Sequence, residues 1–444
     1  MNEVIKHKIK HNISRFVTST KWVIFSIIVG IIVGICATAF FFGLSVVTDF
    51  RIKYPWLLFF LPLGGMAIVG LYHLLKDDND SGTNLVISAI HSGDHLPFKM
   101  APLIFVSTLI THLFGGSAGR EGAALQMGGS IGNSIGKFFK FDEKDKHVMI
   151  MCGMSAAFSA IFGTPMAAAI FSMEMISIGV MYYMALVPCV ISSLVAHGIA
   201  ASFNVTNDFF VINKIPSFGI ISAVKISILA VLCALVSILF CVCLHTFEGL
   251  YKKYITNKYL RAFTGGCIVI ALTLLVGDQT YNGTGMGIIE KCIDSSVRPE
   301  AFILKIIFTA VTLGAGYKGG EIVPSFCIGA AFGCLFGNMI GFSPTLCTAV
   351  GMTSLFCGVT NCPITSLLIS FELFGYDGMP YFLLSIAFSY MLLGPWKAFL
   401  DRRNKATEVV NIGLVGKYDL QDTQHRGRQR VPGTGCRIKS PWLV

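Results

Sequence analysis

The chain has 444 residues, 54% of them hydrophobic and only 13% charged, with a formal net charge of +10. A soluble domain carries about 25% charged residues, so this chain has too few to cover a water-facing surface. That excludes soluble enzymes, disordered chains and secreted disulfide scaffolds, and leaves an integral membrane protein of many helices.

The chain opens on a basic stretch, residues 1–20, with Lys6, Lys8, Lys10 and Arg15, and Lys21 follows it. Apolar segments then run at 22–47, 56–75, 101–115, 148–176, 181–203, 217–246, 262–276, 301–315, 327–340, 345–371 and 380–396. Lys397, Arg402, Arg403 and Lys405 follow the last of them. The basic excess therefore faces a membrane surface and gives no reason to expect nucleic acid. By the positive-inside rule both termini are expected in the cytoplasm of a multi-pass cell-membrane protein. Residues 404–444 have little apolar periodicity and are expected to form a disordered tail. Most of the 14 cysteines lie within apolar runs, and the close pair Cys241 and Cys243 reads as small apolar side chains on a lipid-embedded helix, not as a zinc site. No metal or cofactor is expected.

Several apolar segments are too short for the ~20 residues that a helix needs to cross a bilayer. Others are interrupted, at Gly115 to Gly122, Phe162 to Pro165, Gly314 to Gly320 and Asn361 to Pro363. Broken backbone at membrane depth is tolerated only where protein buries it or where it lines a watery cavity. The interruptions point to a transport site.

They also recur. Gly153-Met-Ser-Ala-Ala-Phe158 matches Gly351-Met-Thr-Ser-Leu-Phe356, and in the same frame Pro165, Ser172 and Glu174 match Pro363, Ser370 and Glu372. In a second frame Gly128, Gly132 and Gly136 match Gly329, Gly333 and Gly337, and Gly82-Thr83 matches Gly283-Thr284. Two similar halves, about 21–203 and 215–403, are the usual plan of secondary transporters. The repeat alone leaves open whether the halves are parallel or inverted. The two Gly-x-x-x-Gly-x-x-x-Gly runs read as helix-packing faces.

Three segments carry chemistry. Gly115-Gly-Ser-Ala-Gly119-Arg120-Glu121-Gly122-Ala123 places a charged pair among glycines where a helix begins. A helix start offers unpaired N–H groups and a positive dipole end to an anion, and glycines let the anion reach the backbone. A carboxylate near the membrane core costs about 3 kcal/mol. Glu121 would be retained there if it competed with a transported anion for the same N–H groups and left the site when protonated. A plain surface pair of Arg120 with Glu121 is the lesser reading, because sequence neighbours at a helix start pair poorly. The second segment, Gly314-Ala-Gly-Tyr-Lys-Gly319-Gly320-Glu321-Ile322-Val323-Pro324, repeats the pattern with Pro324 in the first turn. Glu321 either favours that helix dipole or serves as a second protonatable group. The third, Asp80-Ser-Gly82-Thr83-Asn84-Leu85-Val86, can cap a short helix.

In this order the three segments resemble the signatures of the CLC family of chloride channels and halide/proton antiporters. Gly119-Arg120-Glu121-Gly122-Ala123 is similar to its Gly-Arg-Glu-Gly-Pro, Gly320-Glu321-Ile322-Val323-Pro324 to its Gly-x-Phe-x-Pro, and Gly82-Thr83-Asn84-Leu85-Val86 to its Gly-Ser-Gly-Ile-Pro. The resemblance implies an all-α polytopic fold of two inverted-topology halves built from tilted and partial transmembrane helices. It implies a homodimer in membrane lipid, with halide anions and protons as transported partners. Glu121 would be the gate, Glu321 a second proton station, and Thr83, Asn84, Gly119, Arg120, Gly122, Ile322 and Val323 the anion contacts. Thr83 stands where many members carry a pore serine, and Phe399 falls near the usual pore tyrosine. Met175 follows Glu174, where many antiporters carry an inner proton-carrying glutamate. These departures, with Ala123 and the Gly319-Gly320-Glu321 run, are most like the bacterial fluoride/proton branch, although Val323 replaces its usual threonine. The expectation is proton-coupled antiport of fluoride or chloride. A passive chloride channel on the same scaffold and an unrelated organic-anion transporter are the rivals, and no enzyme motif is present.

Overall fold

The computed structural model describes residues 2–75, 83–92, 96–176, 181–205 and 209–405. The first half comprises α1 (Asn2–Lys53), α2 (Leu61–Leu74), α3 (Thr83–Ser92), α4 (Met100–Leu113), α5 (Glu121–Phe138), α6 (Glu143–Phe162), α7 (Pro165–Glu174) and α8 (Leu186–Ser202). The second comprises α9 (Ile220–Tyr254), α10 (Lys258–Val276), α11 (Met286–Ile293), α12 (Ala301–Gly314), α13 (Ile322–Met339), α14 (Pro344–Thr360), α15 (Pro363–Phe374) and α16 (Met379–Lys405). Six of the described helical segments are long and apolar enough to cross a membrane.

The repeat is carried residue by residue into the helices. α4 and α12 begin and end at matched positions, as do α5 and α13. The apolar runs 148–176 and 345–371 each break into two helices. In the first, Gly163 (φ 74°) ends α6 and Pro165 starts α7; in the second, Asn361 (φ 61°) ends α14 and Pro363 starts α15. Glycine and asparagine are the residues that tolerate this left-handed cap, and proline suits a first helical position because it lacks an N–H. The basic N-terminal stretch continues into the first span as α1, since no proline or glycine interrupts it before Gly30. Residues 406–444, most of the expected tail, lie outside the described residues.

The glycine runs pack helices, as their spacing suggested. Gly128 and Gly132 of α5 lie against the backbone carbonyls of Gly153 and Met149 on α6, and a Cβ at either would overlap them. Gly329 and Gly333 of α13 meet the carbonyls of Gly351 and Cys347 on α14 in the same way. Each half thus has a glycine-welded pair of helices at its centre.

The halves are inverted and clasp each other. Glu174, at the end of α7, accepts hydrogen bonds from the N–H groups of Ile364 (3.0 Å) and Thr365 (2.8 Å) at the start of α15. Its mate Glu372 accepts from Met166 and Ala167 at the start of α7, both at 2.9 Å. Each carboxylate satisfies the orphan donors of the other half's helix. Between the halves, Phe162 stacks on Phe326 (5.4 Å), which stacks in turn on Phe356 of its own half (4.8 Å).

Candidate anion and proton site

The two glycine-rich segments meet at the centre. Gly119 and Gly320, equivalent in the repeat, form an antiparallel bridge in which the Gly119 N–H donates to the Gly320 carbonyl at 2.6 Å and the Gly320 N–H to the Gly119 carbonyl at 2.9 Å. Equivalent residues that exchange both bonds must lie on a local two-fold. The glycines are required by proximity: a Cβ on Gly119 would sit 2.9 Å from Pro324 Cδ, and one on Gly320 would sit 2.7 Å from the Gly122 nitrogen.

From this bridge α5 and α13 depart. Neither has a side-chain cap on its first N–H groups. In α5 the carboxylate of Glu121 fills the gap. It is fully buried, and it folds back so that Oε2 accepts from the Arg120 backbone N–H at 3.1 Å. Its Oε1 accepts from Arg120 Nε at 3.2 Å. The neighbours do pair, which the sequence argued against, but around a buried carboxylate and not in a surface loop. The Arg120 guanidinium also lies 4.9 Å from the ring centre of Phe41, which holds it beside the carboxylate. Gly122 and Ala123 are buried behind them.

In α13 the matching residues differ in charge. Glu321 stands where Arg120 stands, and Ile322 where Glu121 stands. Ile322 and Val323 are buried, and Pro324 at the third helical position has no N–H, so the backbone donors of this start are those two residues. Glu321 is half-buried and makes no ion pair among the described residues. The structure therefore gathers Gly119, Arg120, Glu121, Gly122, Glu321, Ile322 and Val323 around one bridge. α3 begins at Thr83, but the side chains of Thr83, Asn84 and Phe399 lie outside the described residues.

Sequence reading missed the polar residues behind the first segment. Ser117 receives a hydrogen bond from Lys305 Nζ (3.0 Å), shares one with the Thr309 hydroxyl (3.1 Å), and donates its backbone N–H to the Thr312 hydroxyl (3.1 Å). A lysine alone within the apolar run 301–315 was the available signal. His112 is also buried there, and its Nδ1 lies 2.8 Å from the Thr108 carbonyl oxygen.

Comparisons with known proteins agree with this architecture. Residues 64–394 match the family described as voltage gated chloride channel. The chain is 32% identical over 381 residues to a chloride/fluoride channel protein of Pseudomonas syringae pv. tomato, covering 84% of each. It is 25% identical over 389 residues to the H(+)/Cl(-) exchange transporter ClcA of Vibrio cholerae, covering 78% of this chain and 81% of that one. Among solved structures, a CLC-type fluoride/proton antiporter superposes with a TM-score of 0.82 at 29% identity, over 85% of this chain and 96% of that one. The inverted halves, the glycine bridge and these matches together make the chain a member of the voltage-gated chloride channel (CLC) family of membrane transport proteins.

Proposed function

We propose that the protein is a halide/proton antiporter in which Glu121 is both the gate and the proton carrier. One observation carries the reading: a fully buried carboxylate occupies the uncapped start of α5, where a halide would otherwise bind. Ionised, Glu121 takes the Arg120 backbone N–H and blocks the site. Protonated, it loses its charge and its hold on Arg120, leaves, and admits a halide to the N–H groups of Gly122, Ile322 and Val323. Alternate occupation of one place by carboxylate and halide ties the two fluxes together. Glu321, unpaired across the bridge, takes the role of second proton station, which Met175 cannot fill. The reading also assigns Thr83 and Asn84 to the anion contacts. The protein works as a homodimer in the cell membrane with both termini in the cytoplasm. Fluoride is the favoured cargo, supported by the relatives named for fluoride and by Ala123 and Gly319-Gly320-Glu321.

The test is flux from proteoliposomes loaded with fluoride or chloride, with halide efflux and proton uptake recorded together. Uphill proton movement driven by fluoride supports the proposal. Rapid chloride efflux without proton movement identifies a passive channel and removes the role given to Glu321.

A further inference from the structure

A second set of cations lies away from Glu121. Lys305 of α12 is fully buried, and its Nζ donates to Ser117 Oγ (3.0 Å), the Tyr281 carbonyl (3.1 Å) and the Gly283 carbonyl (2.8 Å). Arg51, in the last turn of α1, is 8% exposed, and its Nε and Nη1 have no hydrogen-bond partner. The guanidinium lies directly over the loop that leads into α11: a Cβ on Gly283 would fall 2.7 Å from Nη1 and 3.0 Å from Nη2. Gly283 (φ +64°) and Gly285 (φ +91°) bring this loop close, and the Gly283 N–H ties it to the Gly116 carbonyl at 3.1 Å. No Asp or Glu pairs with either cation among the described residues. Two neighbouring buried positive charges without a counter-ion repel each other and have lost their hydration, a costly arrangement unless an anion joins them.

We infer that Arg51, with Lys305 behind it and the start of α11 beside it, forms a second anion site, which holds a halide at the membrane face opposite the N-terminus of α1. The site has its own donors. The free N–H groups of the guanidinium point to the anion, and Lys305 fixes the loop and adds its charge. The start of α11 is exposed at Gly287, where a Cβ would meet nothing within 4 Å. Selection is by charge, since the donors are a guanidinium and a loop and not an enclosing cage. The site is separate from the gate, where Arg120 is engaged with Glu121 and Phe41. It is also connected to the gate. Lys305 bonds Ser117, two residues ahead of Gly119, so an anion held at Arg51 sits beside the segment that Glu121 must leave. Its role is to concentrate halide at the gate from that face. This deepens the transport reading, yet binding at Arg51 does not require transport.

Bromide-soaked crystals of the full chain, examined by anomalous diffraction, test the site directly. The expected result is a bromide peak at the Arg51 guanidinium that persists in Glu121→Gln, persists in Arg51→Lys and vanishes in Arg51→Gln. In vesicles, Arg51→Gln should raise the apparent KM for halide supplied on that face about tenfold, the loss of one charge-assisted contact, with the proton-to-halide ratio unchanged. An empty Arg51 site in crystals that hold bromide at the start of α5 overturns the inference, as does an unchanged KM. A bromide at Arg51 in a protein that moves no halide supports the site and overturns the transport reading instead.

Discussion

The starts of α5 and α13 have the same backbone and opposite chemistry. Both follow a glycine-rich segment, both lack a side-chain cap, and they are joined through Gly119 and Gly320. Yet the first carries arginine then glutamate, and the second glutamate then isoleucine. In the first, the acid lies at the first helical position and reaches the helix's own donors. In the second, the acid lies one residue earlier, outside the helix, and leaves the Ile322 and Val323 donors unblocked. A one-residue shift of a carboxylate thus separates a start that closes itself from one that stays open. Two-fold backbone symmetry gives the site a second set of donors, and broken side-chain symmetry gives it a direction.

The largest test of that difference is Glu121→Gln. The amide keeps the shape but cannot ionise, so proton movement should disappear while halide still crosses, read by simultaneous halide and pH electrodes. Coupled transport that survives unchanged would falsify the gate assignment. Glu321→Gln is the matching change in the other half. It should slow proton flux about tenfold, in the range of general acid–base roles, and leave halide binding intact. A variant with ordinary proton flux would reduce Glu321 to a dipole partner. Gly320→Ala strikes the bridge itself, because its Cβ would fall 2.7 Å from the Gly122 nitrogen. The overpacking should cost about 1–3 kcal/mol and lower the melting temperature in detergent. Glu372→Gln removes the charge that caps α7 and should cost about 1 kcal/mol with transport preserved. Glu174→Gln should cost somewhat more, since Glu174 also accepts from the Thr365 hydroxyl at 2.6 Å. Lys21→Ala, which breaks the half-exposed pair with Asp145, should change stability by about 0.5 kcal/mol at most and leave flux untouched.

Much of this was legible in the sequence because it repeats. A glycine every fourth residue announces a close helix contact, and the same spacing in α5 and α13 announced two. The breaks at Gly163 and Asn361 were visible because the prolines after them cannot continue a helix. Glu174 and Glu372 were marked as a matched pair, but their crossed capping was not readable, since it depends on α7 lying antiparallel to α15. The Arg120–Glu121 contact was misjudged for a similar reason. The rule against neighbour pairing holds on a straight helix, whereas the bridge at Gly119 bends Arg120 out of the helix and lets its N–H and guanidinium both reach back. Arg51 and Lys305 are 254 positions apart and share no motif; only the docking of the Gly283 loop on Gly116 brings them together.

The bridge has a mechanical consequence. Many transporters with repeated halves expose their cargo to one side and then the other by rocking one half over its mate, a motion that shears the contact between them. Here that contact includes two backbone hydrogen bonds on the local axis and five more from the crossed carboxylates of Glu174 and Glu372. Rocking would have to break all seven in every cycle. On the proposed mechanism the moving part is therefore a single side chain on a locked frame, and the pace of turnover is set by the swing of one carboxyl group.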